Sequence, residues 1–527
     1  MGVTVRDLLV RQAEVRRPGL LFEDRSWAWA EYVAESAAVA HALTSVHDAD
    51  RPFHVGALLD NVPEMAFLLS GAALGGFTLV GLNTTRRGAA LAADVARSDC
   101  QVVVTEPGHL PLLEGLELPG VRVYDVTSPE WAELVEEHHG RALPDVSPTP
   151  DDLMMLIFTS GTSGDPKAVR VTHEKVSHPG VLLSERFGLT SDDVCYLSMP
   201  LFHSNAVMAG FAPALAAGAT LALARRFSAS RFLDDVRRFG ATYANYVGKP
   251  LTYVLATPER PGDADNPLRL VFGNEAAERD IAEFGRRFGC VVVDSYSSTE
   301  NAIVVQRVPD MPPGSLGRPL EGVKVLDPET AEEVPVAVFD PDGRLTNADV
   351  AVGELVNTTG AGFFAGYYNA PDADAERMRD GMYWSGDLAY RDADGFVYFA
   401  GRSSEWLRVD GENLAAAPIE AILHRHPDIL QAAVYAVPDD SGVGDQVMAA
   451  LVLRDGRAFD PVVFEEFLAA QADLGSKSWP RYVRVAEVLP QTPTNKILKR
   501  ELRSQGTEGH PDRVWVRAAR GTAYSPA

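Results

Sequence analysis

Two stretches of this sequence carry residue types that could do chemistry, the first of them suited to phosphate. The first opens with six apolar residues, Leu153 to Phe158, and runs on through Thr159-Ser-Gly-Thr-Ser-Gly-Asp-Pro-Lys167. Gly161 and Gly164 open backbone conformations closed to other residues and let the main chain approach a ligand. Successive N–H groups, the hydroxyls of Thr159, Ser160, Thr162 and Ser163, and the Lys167 ammonium suit phosphate oxygens. The run does not fit the G-x-x-x-x-G-K-S/T pattern. Ala168-Val-Arg-Val-Thr172 after it reads as a strand, so the loop is expected to join two strands and not to open a helix. The competing reading is a plain Ser/Gly surface turn; the closing Pro-Lys between two apolar strands argues against it. The second stretch, Ser295-Tyr-Ser-Ser-Thr-Glu300-Asn, sets a carboxylate behind a run of hydroxyls. His203, after a Pro-marked loop, is a further polar candidate among apolar neighbours.

Positioning these residues requires strands. Leu153–Phe158 is too short for a typical helix and reads as a buried strand. The spacing of apolar residues predicts a helix over Trp29 to Leu43, strands at 54–59 and 100–105, a strand near Val194, and a helix from Ser228 to Phe239 stopped by Gly240. Leu268 to Phe272, the turn Gly273-Asn274-Glu275-Ala276, the helix Glu278 to Phe288 and the strand 290–294 follow in order. That order places the turn at 273–276 and the loop at 295–301 at the carboxyl ends of neighbouring parallel strands, where open α/β sheets bind ligands. From about residue 314 the texture changes to short strands divided by Gly and Pro, among them Gly366-Tyr-Tyr-Asn, predicting a small β-rich subdomain with a turn at Asp392 to Gly395. A compact α/β unit begins after Arg402, with helices over 417–424 and 461–471, the latter capped by Asp460, and strands over 432–437 and 447–453. Residues 504–527 read as a loosely held tail.

At 527 residues the chain exceeds a single core. With 48 Lys and Arg against 73 Asp and Glu, the net charge of −25 and the lack of a basic block exclude nucleic acid and anionic membranes as expected partners. Cys100, Cys195 and Cys290 are far apart, implying neither a disulfide framework nor a zinc site. The N-terminus lacks a signal-type apolar region, so a cytoplasmic location is expected. Met65 to Leu82 is apolar but rich in glycine, and fits a buried helix and strand better than a membrane span.

Taken in order, the motifs resemble the adenylate-forming superfamily of acyl-CoA synthetases, adenylation domains and beetle luciferases. The resemblance rests on Thr159–Lys167, Tyr296-Ser-Ser-Thr-Glu300, Trp384-Ser-Gly-Asp387, Gly401-Arg402, Gly411-Glu-Asn413 and Pro493-Thr-Asn-Lys496. Arg-Val-Asp-Gly-Glu-Asn-Leu and Phe-Gly-Asn-Glu most resemble actinobacterial long- and very-long-chain fatty-acid and steroid-acid CoA ligases and fatty-acid transport proteins. The likeness implies an α/β fold: a large N-terminal domain of layered αβ sheets with a small β-rich subdomain, 1–402, then a small mobile C-terminal α/β domain, 403–527.

It also implies the chemistry. A carboxylate attacks the α-phosphorus of ATP, pyrophosphate leaves, and the acyl adenylate meets the thiol of coenzyme A. Both reactants of the first step are anionic, so positioning and electrostatics dominate. By resemblance, residues 159–164 and Lys167 would hold the outer phosphates, and Glu300 with Thr159 would hold Mg²⁺ through hard oxygen donors. Asn274, Glu275, Tyr296, Ser298 and Thr299 would face the nucleotide, Tyr296 stacking on adenine. Asp387 and Arg402 would meet the ribose, His203 would lie on the acyl side, and Lys496 would bridge the carboxylate and α-phosphate. Ser404, Gly411, Glu412 and Asn413 would form the hinge and the coenzyme A side. Ser297, Ser404, Asp410 and Asn495 depart from the usual residues: Ser297 would shift the adenine contacts, Ser404 would alter the hinge, and Asp410 and Asn495, which remove no reacting group, would slow the second half-reaction.

The acid itself is left open between fatty acids and steroid side-chain acids, and a homodimer is allowed for. Transfer to a carrier-protein pantetheine is one alternative. A nucleotide-binding regulator without turnover is another, disfavoured by Lys496 and Glu300. Lys496→Ala should slow adenylation by about 10²–10³ while leaving thioester formation from supplied acyl adenylate largely intact; half-reaction kinetics showing equal losses would contradict the assignment.

Overall fold

The computed structural model describes residues 2–159, 166–309, 311–340, 345–402, 406–409, 412–438, 445–471, 474, 478–492, 497–510, 512–518 and 521–527. Ser160, Gly161, Thr162, Ser163, Gly164, Ser404, Gly411 and Lys496 lie outside the described residues, as do the side chains of Arg402, Glu412 and Asn413. The chain divides into two compact units, one of residues 1–301 with 363–376 and the other of residues 302–362 with 377–527.

The first unit holds two sheets. In one, the strands Val291–Asp294, Leu270–Asn274, Tyr243–Val247, Val194–Leu197, Thr220–Leu223 and Pro18–Phe22 lie side by side in parallel, and Arg25–Ala28 closes the edge as a hairpin. The other has Arg122–Asp125, Val102–Thr105, His54–Leu58, Thr78–Gly81 and Leu153–Thr159 in parallel, with Lys167–Thr172 antiparallel at the edge. Period-two alternation sends side chains to both faces, and both faces are apolar, as parallel sheets require. Leu197, Tyr243 and Phe272 of the first sheet and Val55, Met155 and Ile157 of the second share one core with the helices Trp29–Val46, Pro63–Gly75 and His173–Phe187. The alternate residues Tyr196, Tyr246 and Val271 face the helices Phe232–Phe239 and Glu278–Phe288. Leu58, Leu156 and Phe158 pack with Leu91 and Val95 of Gly88–Arg97. Helices therefore cover both faces of each sheet.

The run from Met65 to Leu82 is the buried helix Pro63–Gly75 and the strand Thr78–Gly81, and no helix among the described residues is long and apolar enough to cross a membrane. All three cysteines are buried and unbridged. The helix expected from Ser228 opens later, at Phe232, and ends as expected at Gly240, whose φ is +66°.

In the second unit, a seven-stranded β-rich sheet includes Ser315–Pro319, Val323–Leu326, Gly353–Asn357, Met382–Arg391 and Val397–Arg402. The turn at 392–395 lies where the sequence places it, closed by Asp392 Oδ1, which accepts from the N–H groups of Asp394 and Phe396. A five-stranded sheet contains Ile429–Pro438, Asp445–Leu453 and Tyr482–Val485, with the helices Ala416–Leu423 and Pro461–Ala470; Asp460 caps the latter by accepting from the N–H groups of Val462 and Val463.

Two expectations are corrected. Gly366-Tyr-Tyr-Asn does not belong to the β-rich sheet. It belongs to the first unit, where the Arg170 N–H donates to the Gly366 carbonyl and the Tyr368 N–H to the Ala168 carbonyl. The C-terminal tail is not loose either. Arg513–Arg517 and Tyr524–Pro526 complete the five-stranded sheet, and the buried Tyr524 hydroxyl donates to the Pro480 carbonyl at 2.6 Å. Periodicity over so few residues was too weak to show this. Tyr524→Phe should cost the second unit about 1 kcal/mol, and deletion of 512–527 should lower its thermal midpoint and speed its limited proteolysis; unchanged values would mean that these strands add nothing to its stability.

Candidate functional site

The phosphate-type loop spans the end of an antiparallel pair, with Thr159 opposite Lys167 in register. This is the strand–loop–strand arrangement that the sequence predicts. The segment 366–368 adds a short antiparallel pairing, Val169 facing Tyr367, which brings the Tyr367 ring beside Lys167. The Lys167 ammonium lies 5.7 Å from the centre of that ring and donates to Glu376 at 3.1 Å. The Tyr367 hydroxyl donates to Glu300 Oε1 at 2.8 Å. One aromatic side chain therefore joins the cation that closes the first motif to the carboxylate that closes the second. Thr159 is half-buried and makes no hydrogen bond to Glu300 among the described residues.

The second motif leaves the carboxyl end of Val291–Asp294, next to the parallel Leu270–Asn274. These strands approach so closely to their neighbour that a Cβ at Gly273 would lie 2.1 Å from the Tyr246 carbonyl oxygen. Only glycine fits there. Asn274 donates to the carbonyl and hydroxyl oxygens of Ser295, which ties the ends of the two strands together. Glu275 and Asn301 adopt left-handed conformations with φ of +66° and +52°. Such residues are strained by about 1–3 kcal/mol and cluster at ligand sites. Ser298 accepts from the Asn301 N–H through both its carbonyl and its hydroxyl, closing the turn that displays Thr299 and Glu300.

His203 opens the neighbouring polar step. Ser204 Oγ lies 2.8 Å from Thr299 Oγ1. Asn205 Nδ2 donates to Asn274 Oδ1 and to the Tyr246 carbonyl, and Asn205 Oδ1 accepts from Asn245. A π-helical turn, Ala206–Phe211, follows at once; such turns recur at functional sites. Through Asn205, Ser204 and Tyr367 the structure thus connects Asn274, Thr299, Glu300 and Lys167, with His203 the chain neighbour of Ser204. Tyr296 lies in the same loop.

In the second unit Asp387 faces Arg402 in register across the strand pair. The Asp387 side is braced from behind. Gly386, at φ +73°, donates its N–H to the buried Glu354 carboxylate at 2.7 Å, and Ser385 Oγ accepts from the Asp387 N–H. The Arg379 guanidinium lies 3.7 Å above the Trp384 ring and 3.5 Å from Glu354. Burial raises the Glu354 carboxyl above its usual range, opposed by the Gly386 N–H and the Arg379 charge.

Burial also dominates the histidines. It pushes His203 down to about 4, and His203 Nε2 is buried with no hydrogen-bond partner among the described residues. His173 is likewise pushed down to about 4, with Asp152 and Asp7 pulling weakly upward. Lys175 is fully buried; its ammonium donates to the Glu300 carbonyl at 2.9 Å, and burial lowers it to about 8 against the pull of Glu300. Sequence reading missed Lys175, Glu354, Ser204 and Asn205, and gave Tyr367 no part in the site. Ser204 and Asn205 stand beside His203 and could have been suspected, whereas no pattern marks Lys175.

The AMP-binding enzyme family matches residues 10–368 of this chain. The chain belongs to that family. The family of C-terminal domains of AMP-binding enzymes matches residues 418–496. This AMP-binding enzyme is 54% identical over 513 residues to the medium/long-chain-fatty-acid–CoA ligase FadD17 of Mycobacterium marinum, covering 97% of this chain and 98% of that one. It is 48% identical over 508 residues to the steroid-22-oyl-CoA synthetase of Rhodococcus jostii, covering 95% and 91%. Its fold matches that of the anthranilate CoA ligase AuaEII, solved with anthranoyl-AMP, with a TM-score of 0.81 at 21% identity, covering 96% and 97% of the two chains.

The two depressed histidines set a pH limit for this enzyme. The unfolded chain takes up protons below about pH 6.5, while folded His173 and His203 stay neutral down to about 4. Their contribution is present above pH 6.5 and is lost as pH falls toward 4, on the order of 3 kcal/mol per residue. Denaturant unfolding at pH 7 and pH 4.5 should show a smaller loss in His173→Gln than in the parent; equal losses would refute the assignment.

Proposed function

We propose that this AMP-forming acid–CoA ligase activates fatty or steroid side-chain acids, and that the motif residues act as follows. The observation that carries the site reading is the Tyr367 bridge, which holds a phosphate-type ammonium and a carboxylate on one ring. Lys167 and the 159–164 loop bind the outer phosphates of ATP, the ammonium exchanging Glu376 for a phosphate oxygen. Glu300 presents a hard oxygen donor with its other oxygen braced by Tyr367, a donor set that fits Mg²⁺, and Thr159 supplies a second. When bound, the ion offsets charge on the phosphates. Asn274, Glu275, Tyr296, Ser298 and Thr299 orient the adenosine and α-phosphate, and Asp387 and Arg402 accept and donate at the ribose. Asp387 is held for that work by Ser385 and by Glu354 through Gly386.

The acid enters beside His203, which stays neutral near pH 7 and so adds no charge that would pair with the carboxylate. The carboxylate oxygen attacks the α-phosphorus in line, and the bond to pyrophosphate breaks. Lys496, carried by residues 403–527, stabilises the charge that builds between them. Rotation about Ser404 then exchanges Lys496 for a thiol passage formed by Gly411, Glu412 and Asn413; closure steps of this kind are common gates. The coenzyme A sulfur attacks the acyl carbon and AMP leaves. The division at 402/403, a cytoplasmic location and a homodimer are part of the same proposal.

Fatty acids are favoured by the 54% identity to the FadD17 ligase, and steroid side-chain acids by the 48% identity to the steroid-22-oyl-CoA synthetase. Pyrophosphate release across a panel of both classes, with and without coenzyme A, tests the reading. One class should be turned over at least tenfold faster, with AMP and thioester formed in equal amounts. Pyrophosphate release that never yields coenzyme A thioester would favour a carrier-protein acceptor, and no release with any acid would favour a regulator.

A further inference from the structure

The Glu300 carboxylate is braced by Tyr367, but its main chain is held by a residue outside every motif. Lys175 is the third residue of the helix His173–Phe187, whose N-cap Thr172 accepts from the Lys175 N–H. Its side chain is fully buried, and its ammonium makes one hydrogen bond among the described residues, to the Glu300 carbonyl oxygen at 2.9 Å. No carboxylate oxygen of the described residues lies within ion-pair distance of it.

Packing does not explain such a lysine. An ammonium taken out of water without a paired carboxylate is costly, and an apolar chain of similar volume in the same place is often neutral or stabilising. The charge is therefore retained for what it touches. It touches the peptide at which the chain reverses, since Asn301, next after Glu300, is left-handed at φ +52°. With Tyr367 on the carboxylate and Lys175 on the main-chain carbonyl, Glu300 is held at its side-chain tip and at its backbone. Releasing one end frees the torsions between them.

We propose that Lys175 is a positioning residue: its buried ammonium pins the Glu300 main chain and thereby presents the Glu300 carboxylate to the cation that accompanies ATP. The inference rests on the reading of Glu300 as a metal ligand. It assigns Lys175 no contact with substrate.

The test uses the full-length enzyme with ATP and Mn²⁺ as probe, reading Mn²⁺ affinity by water proton relaxation alongside thermal stability and steady-state kinetics. Lys175→Met should bind Mn²⁺ in the ATP complex about tenfold more weakly, with an unchanged or raised thermal midpoint and the KM for the acid within twofold of the parent. Lys175→Gln, whose amide is one bond shorter, should be weakened at least threefold and serves if the Met variant does not fold. Either folded variant binding Mn²⁺ like the parent would overturn the proposal, as would an equal loss in the KM for the acid. Glu300→Ala separates the two readings. If it binds Mn²⁺ normally, the metal-site assignment fails; if it is weakened while Lys175→Met is not, the Lys175 proposal alone fails.

Discussion

The hydrogen bond from Tyr367 to Glu300 is the contact on which the arrangement of the first unit's motifs depends. It comes from a segment that leaves the unit after Asn301 and returns at Phe363, whose N–H donates back to the Asn301 carbonyl. The returning chain pairs with Lys167–Thr172, the edge strand of its sheet, and so covers an edge that would otherwise present unpaired backbone groups. Tyr368 adds an anchor through its hydroxyl on Asp99. One excursion of the chain thus satisfies a sheet edge and aligns a cation with a carboxylate.

Around that contact the polar groups are connected where the apolar layers end. The strands are buried on both faces, so only their carboxyl ends leave room for side chains with chemistry. Near those ends Asn205 bonds to Asn245 and Asn274, Asn274 bonds to Ser295, and Ser204 bonds to Thr299. Low dielectric strengthens such links and makes each unpaired group expensive. The turn at His203 and the turn at Glu300 are therefore joined through Ser204 and Thr299.

Charge is handled locally. A chain with a net charge of −25 would repel an anionic nucleotide at long range, yet screening confines that field to about a Debye length of roughly 8 Å at physiological salt. Locally, cations do stand beside the two motifs: Lys167 closes the first, and the buried Lys175 lies behind Glu300 of the second. Burial keeps His203 neutral near pH 7, so it adds no cation to its apolar surroundings.

The sequence by itself determined the layered α/β class, the strand–loop–strand form of the 153–172 stretch, the neighbouring parallel strands beneath 273–276 and 295–301, and the family. These follow from periodicity, from glycine and proline punctuation, and from residue types that phosphate chemistry requires at short spacing. It did not determine where Gly366-Tyr-Tyr-Asn would pack, because pairing with Lys167–Thr172 joins residues far apart in the chain. Nor did it reveal that 513–517 and 524–526 are strands, since pairing with Tyr482–Val485 supplies what their own pattern lacks. Only the assembled fold puts Tyr367 and Lys175 against Glu300 and Ser204 against Thr299. A lysine in a helix reads as solvated until the fold shows it buried against a carbonyl, because burial is a property of the assembled layers and not of any short stretch of chain.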